Sequence, residues 1–241
     1  MGPRAVSENV TKVSINDYFD RVYVLNLHHR ADRMSQVSAR LGAQGIYFDR
    51  FGATDGSVMS HVWRSMRNPH FTTPNYLACA ISHLSIYRQA EREGLGRVLI
   101  VEDDVVLHRD VAGVFAEPPP WEDILYLGWI PLTDDQSMWS YQMADRFVSR
   151  SYLLPRNFWG LFAYATTPSM RRELLEVYDG HFPMELDRYF VNHVQPRNRS
   201  LALTPQAFAC QDVWSDNMGD MQTGMLARSV DGRFASTADY A

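Results

Sequence analysis

The feature that most constrains the fold is a short apolar run that ends in three acidic residues. Val98–Val101 is the longest purely aliphatic run in the middle of the chain, and Glu102, Asp103 and Asp104 follow it directly. Runs of this kind are typical of buried strands in parallel sheets. Carboxylates are unfavourable there unless the carboxyl end of the strand opens onto a site that pairs or coordinates them. The run therefore predicts an open α/β sheet with a ligand site at this strand end.

The pleat of the strand predicts how these carboxylates are arranged. Side chains alternate along a strand with a rise of about 3.3 Å per residue, so Glu102 and Asp104 should share one side, about 6 to 7 Å apart at Cα, and Asp103 the other. Such oxygen ligands suit Mg²⁺ or Mn²⁺, which completes its shell with water and substrate phosphates. We therefore expect Glu102 and Asp104 to hold a divalent metal beside a nucleoside diphosphate. The alternative is that the acids cap the next segment or pair with Arg109.

Strand and helix patterns alternate along the first hundred residues. Arg21–Leu27 predicts a buried strand, followed by a helix over Asp32–Leu41 with Asp32 as its N-cap, and a second strand at Ile46–Phe51. An amphipathic pattern predicts a further helix over Asn75–Glu93. Strand, helix and strand in this order predict a parallel α/β sheet.

The remaining patterns predict shorter elements and two long loops. The loops are Gly52–Pro74 and Trp129–Arg150, which have no regular period. The predicted elements are helices around Asp110–Phe115, Ser169–Tyr178 and Met184–Val194, and strands at Asp123–Gly128 and Phe158–Ala165.

Composition and charge exclude several classes of protein. The chain has 241 residues, 23 of them basic and 28 acidic, for a formal net charge of −5. One globular domain accounts for this length, and the acidic balance argues against nucleic acid as a partner. Cys79 and Cys210 form no C-x-x-C pair, so neither a zinc site nor a disulfide framework is indicated and a reducing compartment is expected. No run approaches the ~18 apolar residues of a membrane span, and no export signal is recognisable, so we expect a cytoplasmic protein with at most peripheral membrane contact.

Four sequence blocks lie in order along the chain, and two shorter segments follow them. The blocks are Val22–Leu27 with Arg30 and Asp32-Arg33 after it, Phe51–Gly56, Ala78–His83 and Leu99–Val105, and the later segments are Gly160–Tyr164 and Pro183–Asp187. Together they resemble glycosyltransferase family 25, which includes bacterial lipooligosaccharide β-galactosyltransferases and collagen hydroxylysine galactosyltransferases. The resemblance covers roughly residues 21–216.

The resemblance implies both a fold and an activity. The fold would be of GT-A type, a single Rossmann-like α/β domain with a mixed sheet flanked by helices over residues 21–220. Residues 1–20 would be a leader and residues 221–241 a tail or active-site flap. The activity would be inverting transfer of a hexose, usually galactose, from a UDP-sugar to a hydroxyl of an acceptor such as a lipooligosaccharide-like glycan. Mn²⁺ or Mg²⁺ would be held at the acidic motif.

Several residues at predicted strand ends are candidates for binding the nucleotide sugar. Asn26, Arg30 and Arg33 follow the first strand, where a ligand-binding loop belongs, and guanidinium groups suit phosphate. Their alternative role is helix capping and surface ion pairing. Asp55 could accept a hydrogen bond from a ribose hydroxyl or uracil N–H, or it could simply shape the turn before Gly56.

The resemblance also points to Ser82, His83 and Asp103 as donor-site residues and to Asp187 as the catalytic base on the acceptor side. A lone histidine beside an apolar helix stripe, like His83, is more often structural. Asp187 lies in the first turns of a predicted helix, where the helix dipole alone favours a carboxylate. Weaker candidates for closing the metal or acceptor site are Asp212, Ser215 and Asp216.

Two other functions are compatible with the same residues. A nucleotidyltransferase would use the same metal site, but only a glycosyltransferase releases free UDP. A catalytically silent glycan-binding protein could share the fold. The acids at positions 102, 103 and 104 argue against the silent protein.

Overall fold

A seven-stranded mixed sheet lies at the centre of the protein. The computed structural model describes residues 13–66, 68–131, 147–149, 151–212, 214–215, 220–221, 225–226, 230 and 235–241. The strands are β1 (Arg21–Leu27), β2 (Asp49–Ala53), β3 (Val98–Glu102), β4 (Val105–Leu107), β5 (Ile124–Tyr126), β6 (Ile130–Pro131), β7 (Tyr152–Leu153), β8 (Phe158–Trp159), β9 (Ala163–Thr166), β10 (Leu201–Leu203), β11 (Phe208–Cys210), β12 (Trp214–Ser215) and β13 (Asp220–Met221).

Helices cover both faces of this sheet. The α-helices are α1 (Ile15–Tyr18), α2 (Ala31–Ala43), α3 (Ser60–Met66), α4 (Pro74–Arg92), α5 (Val111–Val114), α6 (Pro168–Val177) and α7 (Leu186–Tyr189). A π-helical turn, Phe190–Val194, continues α7, and 3₁₀ turns lie at Gly56–Met59, Gln195–Arg197 and Thr237–Asp239. No helix in the described ranges is both long enough and apolar enough to cross a bilayer.

The strand order of the central sheet is β2-β1-β3-β9-β5-β10-β7. Strand β1 is parallel to both β2 and β3, and β10 is parallel to β5. Strand β9 lies antiparallel between β3 and β5, and β7 is antiparallel to β10. The carboxyl ends of β1, β2 and β3 therefore meet at one edge of the sheet. The prediction of an α/β fold with one mixed sheet flanked by helices is confirmed.

Strand β3 is buried on both faces, as its aliphatic sequence predicts. Val98 and Ile100 pack into the core on the side of α4 and α6, while Leu99 and Val101 pack into the core on the side of α2. Burying an aliphatic side chain of this size contributes about 1.5 to 3 kcal/mol. The strand is thus held firmly enough to fix the position of the acidic residues that follow it.

Several element boundaries differ from the sequence-based prediction. Arg30, not Asp32, occupies the N-cap position of α2, and Asp32 lies within the first turn. The second strand begins at Asp49 rather than Ile46, since residues 46–48 are not extended into the sheet. The predicted loop Gly52–Pro74 contains the end of β2, a 3₁₀ turn and α3.

Two later predictions were also wrong in their extent. The strand predicted over Phe158–Ala165 is divided into β8 and β9 at Gly160, whose φ of +91° lies in the region that favours glycine. The helix predicted over Met184–Val194 is a four-residue α-helix followed by a π-helical turn. Most of the predicted loop Trp129–Arg150 lies outside the described residues.

Both ends of the described chain pack against the domain. Residues 13–20, expected to belong to a polar leader, contain α1, and Ile15, Tyr18 and Phe19 are buried in the core on the α2 side. At the other end, Ala241 exchanges two backbone hydrogen bonds with Leu107 of β4, and Tyr240 is buried.

Candidate active site

A cavity of about 420 Å³ lies at the carboxyl ends of β1, β2 and β3. Its wall includes apolar side chains from the end of β1 and polar groups from the turn after β2, from α4 and from the segment after β3. All three carboxylates of the acidic motif, Glu102, Asp103 and Asp104, line it. This is the edge of the sheet at which the sequence predicts a ligand site.

The three carboxylates have different partners. Glu102 ends β3, and its Oε1 lies 3.2 Å from Nε2 of His83. Asp103 is buried and accepts hydrogen bonds from Asn26 Nδ2 over 2.5 Å and from the Arg33 guanidinium over 3.1 Å. Asp104 has one oxygen 3.7 Å from the same guanidinium. Its other oxygen, Oδ1, is buried and has no hydrogen-bond partner among the described residues.

The expected alternation of these side chains was wrong. Strand β3 ends at Glu102, and Asp103 and Asp104 form a turn before β4, so the period of two stops at Glu102. As a result, Asp103 and Asp104 share Arg33 instead of pointing to opposite sides. Arg33, rather than the Arg109 considered from the sequence, is the cation beside them.

The electrostatics of the motif favour binding of a cation. Burial, together with the charges of Glu102 and Asp103, raises the pKa of Asp104 to about 7. Burial also raises the pKa of Asp103, against the opposing effect of Asn26 and Arg33. The three carboxylates thus outnumber their guanidinium partner, and Asp104 keeps an unsatisfied buried oxygen. Buried oxygens in this state fit a hard divalent cation, with Glu102 and Asp104 as candidate ligands.

The two arginines predicted for the donor site have different positions. Arg33 lies in the third helical position of α2, lines the cavity and binds the acidic motif. The Arg30 guanidinium instead lies 3.2 Å from Asp32, and Arg30 is not among the residues of the described chain that line the cavity. The structure therefore brings Arg33 and Asn26 to the acids and leaves Arg30 at the start of the helix.

Asp55 and Ser82 also line the cavity. Asp55 caps the 3₁₀ turn after β2 by accepting a hydrogen bond from the Ser57 backbone over 2.8 Å, and hydrogen bonding from the Ser57 side chain and backbone lowers the pKa of Asp55. His29 lies 3.4 Å from the same carboxylate. The buried Ser82 hydroxyl accepts from the Thr54 backbone and donates to the Ala78 carbonyl, so it ties the end of β2 to α4.

His83 belongs to a buried hydrogen-bonded chain that the sequence did not indicate. It is fully buried, and its Nδ1 lies 2.9 Å from the Tyr164 hydroxyl, which in turn lies 2.5 Å from the Tyr87 hydroxyl. With Glu102 at Nε2, the chain runs from the core to the cavity wall. Tyr164 comes from β9, 81 residues away, so no local pattern could reveal this contact.

Asp187 lies close to this chain. It occupies the first turn of α7, as predicted, and its Oδ1 is buried with no hydrogen-bond partner among the described residues. Burial and the charge of Glu102 raise the pKa of Asp187 to about 7, while His83 and a backbone hydrogen bond from Gly160 oppose the shift. Asp187, the aspartate that the sequence predicts to be the catalytic base, therefore lies within electrostatic range of Glu102 and His83.

The weaker candidates are only partly described. Asp212 is exposed and accepts a hydrogen bond from the Leu226 backbone over 3.0 Å. Ser215 ends β12, and Asp216 lies outside the described residues. Cys79 is partly buried and lines the cavity one helical turn before His83.

The sheet and the carboxylate-lined cavity define an α/β protein with a ligand site at the ends of its parallel strands. Residues 19–190 match the family model described as glycosyltransferase family 25 (LPS biosynthesis protein). The chain therefore belongs to glycosyltransferase family 25.

Curated relatives include both named transferases and proteins named as inactive. The chain is 26% identical to the probable inactive glycosyltransferase 25 family member 3 of Bos taurus over 92% of this chain and 42% of that protein. It is 32% identical to the lacto-N-neotetraose biosynthesis glycosyltransferase LgtE of Neisseria meningitidis serogroup B over 39% of this chain and 36% of that protein. Identity to procollagen galactosyltransferase 2 of Mus musculus is 27% over 36% of this chain and 16% of that protein. The chain thus spans less than half the length of these relatives.

Among solved structures, a glycosyltransferase involved in the glycosylation of the major capsid of PBCV-1 is similar over 76% of this chain and 80% of that chain, at 12% identity and a TM-score of 0.42.

Proposed function

We propose that this protein is a metal-dependent, inverting glycosyltransferase that moves a hexose, with galactose as the first candidate, from a UDP-sugar to a hydroxyl of a glycan acceptor. The observation that carries the proposal is the convergence of three carboxylates and Arg33 on one cavity at the strand ends. Family membership supports the transfer of a sugar. A lipooligosaccharide-like glycan is the acceptor class we favour, because LgtE is among the named relatives.

The donor would lie across the cavity. Asp55, whose pKa is lowered, is an ionised acceptor at the wall and suits a ribose hydroxyl or uracil N–H. Arg33 suits a diphosphate oxygen because guanidinium groups bind phosphate well, and its guanidinium lies beside the acidic motif where the diphosphate would bind. Asn26 holds Asp103 in place from β1. These residues together would orient the nucleotide so that the sugar points toward Glu102 and His83.

Glu102 and Asp104 are the residues that would hold Mn²⁺ or Mg²⁺. When bound, such a cation neutralises the charge that develops on the departing diphosphate. Asp104 would provide the buried oxygen that has no hydrogen-bond partner within the described part of the chain, and Arg33 would balance the charge of Asp103 beside it.

Asp187 would accept the proton of the attacking hydroxyl. A pKa of about 7 suits a general base at neutral pH, because the carboxylate is ionised in a large fraction of molecules and still attracts a proton. Its place on α7, away from the turn that follows β3, allows it to serve the acceptor. Attack in line with the leaving diphosphate would invert the anomeric carbon.

A catalytically silent glycan-binding protein is the second candidate function. The observation that favours it is the presence of relatives whose names describe them as inactive.

We also propose a cytoplasmic location at the inner face of the membrane, supported by two cysteines that are not joined in a disulfide.

Incubation with UDP-galactose, UDP-glucose, UDP-N-acetylglucosamine and UDP-glucuronate tests the proposal. We expect Mn²⁺-dependent release of UDP from one of them, and a rise in melting temperature when that donor and Mn²⁺ are added together. EDTA should abolish both effects. Glycan binding that needs neither UDP nor Mn²⁺, with no UDP released, would establish the silent protein instead. A product that retains the nucleotide would identify a nucleotidyltransferase.

A further inference from the structure

Three side chains of different chemistry meet at one wall of the cavity. Cys79 and His83 are four residues apart on α4 and so lie on the same face of the helix, and Glu102 ends the neighbouring strand β3. A thiol sulfur, a ring nitrogen and a carboxylate oxygen from these residues all lie within 4.8 Å of one another. The cysteine spacing did not indicate such a cluster, because its members come from two elements and include only one cysteine.

We propose that Cys79, His83 and Glu102 bind a thiophilic divalent cation of the Zn²⁺ class. The Glu102 Oε1 and His83 Nε2 atoms are 3.2 Å apart. Two ligands of a tetrahedral zinc ion, each at about 2.0 to 2.2 Å from the metal, lie about 3.3 Å from one another. The cation would therefore replace the direct contact between imidazole and carboxylate with little movement of either group.

The second nitrogen of His83 is held as it is in known metal sites. Nδ1 faces the Tyr164 hydroxyl at 2.9 Å, and Tyr164 is itself bonded to Tyr87. Histidines that bind metals usually donate their other N–H to an outer partner, which fixes the ring and its tautomer. Here Nδ1–H would donate to Tyr164 and leave the lone pair of Nε2 for the cation. Complete burial of His83 prevents the ring from turning away.

The ligand set separates this site from the carboxylate site. Thiolate and imidazole favour Zn²⁺ and similar ions, whereas Mg²⁺ and Mn²⁺ prefer oxygen ligands. Three protein ligands leave a fourth position for water or an anion, and this position would face the cavity that Cys79 and Glu102 line. Because both sites need Glu102, Zn²⁺ should compete with Mn²⁺. Only this competition rests on the proposed function.

Cobalt titration of the metal-free protein tests the site without any donor or acceptor. Co²⁺ is expected to bind at one equivalent and to give the near-ultraviolet charge-transfer absorption of a Co²⁺–thiolate bond, which Zn²⁺ should then remove. Mg²⁺ should not remove it. The variant C79S should lose the absorption, and Y164F should keep it but bind Zn²⁺ about 10- to 100-fold more weakly, as expected when an outer partner of a ligating histidine is removed.

The second cysteine provides a matched control. Cys210 is the only other cysteine of the chain, and burial, together with the charges of Asp104 and Glu102, raises the pKa of its thiol. C210S should retain the full absorption. No absorption in the wild-type protein, or an absorption that survives C79S and disappears in C210S, would overturn the proposal.

The readouts also separate this proposal from the proposed function. A cobalt–thiolate absorption in a protein that releases no UDP from any donor would support the cysteine site and contradict the transferase. Mn²⁺-dependent release of UDP by a protein that shows no cobalt–thiolate absorption would do the reverse. Circular dichroism of C79S and C79A shows whether either variant has lost its fold, and both must lose the absorption while folded.

Discussion

At the scale of single residues, Asp104 combines two neighbouring carboxylates with a buried oxygen to which no described residue forms a hydrogen bond. We predict that D104A abolishes the part of UDP binding that depends on Mn²⁺ while leaving the fold intact, because an acid in a turn contributes little to the core. Isothermal titration with and without Mn²⁺ measures this. D32A is the matched control, since Asp32 is an exposed acid of α2 that pairs with the nearby Arg30. Unchanged UDP affinity of D104A under both conditions would contradict the metal site.

The two arginines at the start of α2 provide a second test at this scale. R33K keeps the charge but loses the guanidinium fork beside Asp103 and Asp104, so donor affinity should fall by about 1 to 3 kcal/mol, or roughly 5- to 150-fold. R30K should change it by about twofold or less, because its partner is the exposed Asp32. Titration of both variants with UDP and Mn²⁺ measures the difference. Equal effects of the two substitutions would show that Arg33 has no special role.

Asp187 is the residue whose substitution should affect turnover without affecting donor binding. D187N keeps the size of the side chain but cannot accept a proton, so kcat should fall by ~10² to 10⁴-fold. UDP affinity should barely change, and the variant should keep its fold. A loss of UDP or metal binding would make Asp187 a donor-site residue, and normal turnover would reduce it to an acid in the first turn of α7.

At the scale of elements, the sequence predicted most accurately the helices and strands that are specified by neighbouring residues. Helix α4 was predicted at Asn75–Glu93 and is observed at Pro74–Arg92, because its apolar period and the cap at Thr73 are local signals. Helix α3 was missed because it has only seven residues and buries none of them fully, so the partly buried Trp63 and Met66 give too short an apolar period to recognise. The period-two prediction failed beyond Glu102, since no local signal marked the turn there.

For the candidate site too, the sequence predicted the features that have a local signal and missed those that depend on packing. The acidic motif was found because carboxylates after an aliphatic strand conflict with burial. The difference between Arg30 and Arg33, and the contact of His83 with Tyr164, depend on how α2 and β9 pack, which sequence spacing does not contain.

The contact between the 3₁₀ turn and α4 gives a prediction at the element scale. A Cβ added to Gly56 would lie 2.8 Å from the Cα of Asn75, a backbone atom that cannot move away easily. G56A should therefore separate the two elements, lower the melting temperature and weaken UDP binding at the cavity wall. In G52A the added methyl group would have no atom within 4 Å, so that variant should behave as the wild type. Equal melting temperatures of G56A and G52A would contradict this packing.

At the scale of the whole molecule, the ionised carboxylates of the site lower the stability of the folded protein. Asp104 and Asp187 lie on different elements, yet both have a pKa of about 7, because each carboxyl group is largely desolvated and each is close to the charge of Glu102. Their ordinary value is 3.8. The folded protein therefore binds protons that the unfolded chain releases, and the global stability of the metal-free protein depends on pH.

The sign of this dependence follows from linkage. The favourable contribution of the neutral carboxyl groups is complete below the unfolded pKa of 3.8 and is lost as the pH rises through the folded value of about 7. Asparagine resembles the neutral acid at every pH. In EDTA, D104N and D187N should therefore match the wild type at about pH 4 and unfold at higher temperature than the wild type at about pH 8. Melting curves of the three proteins across this range measure the effect, and comparing each variant with the wild type cancels the titration of other groups. If each variant and the wild type melted at the same temperature at about pH 8, these two carboxylates would be solvated or paired in the folded protein. The site would then lack the excess negative charge on which cation binding depends.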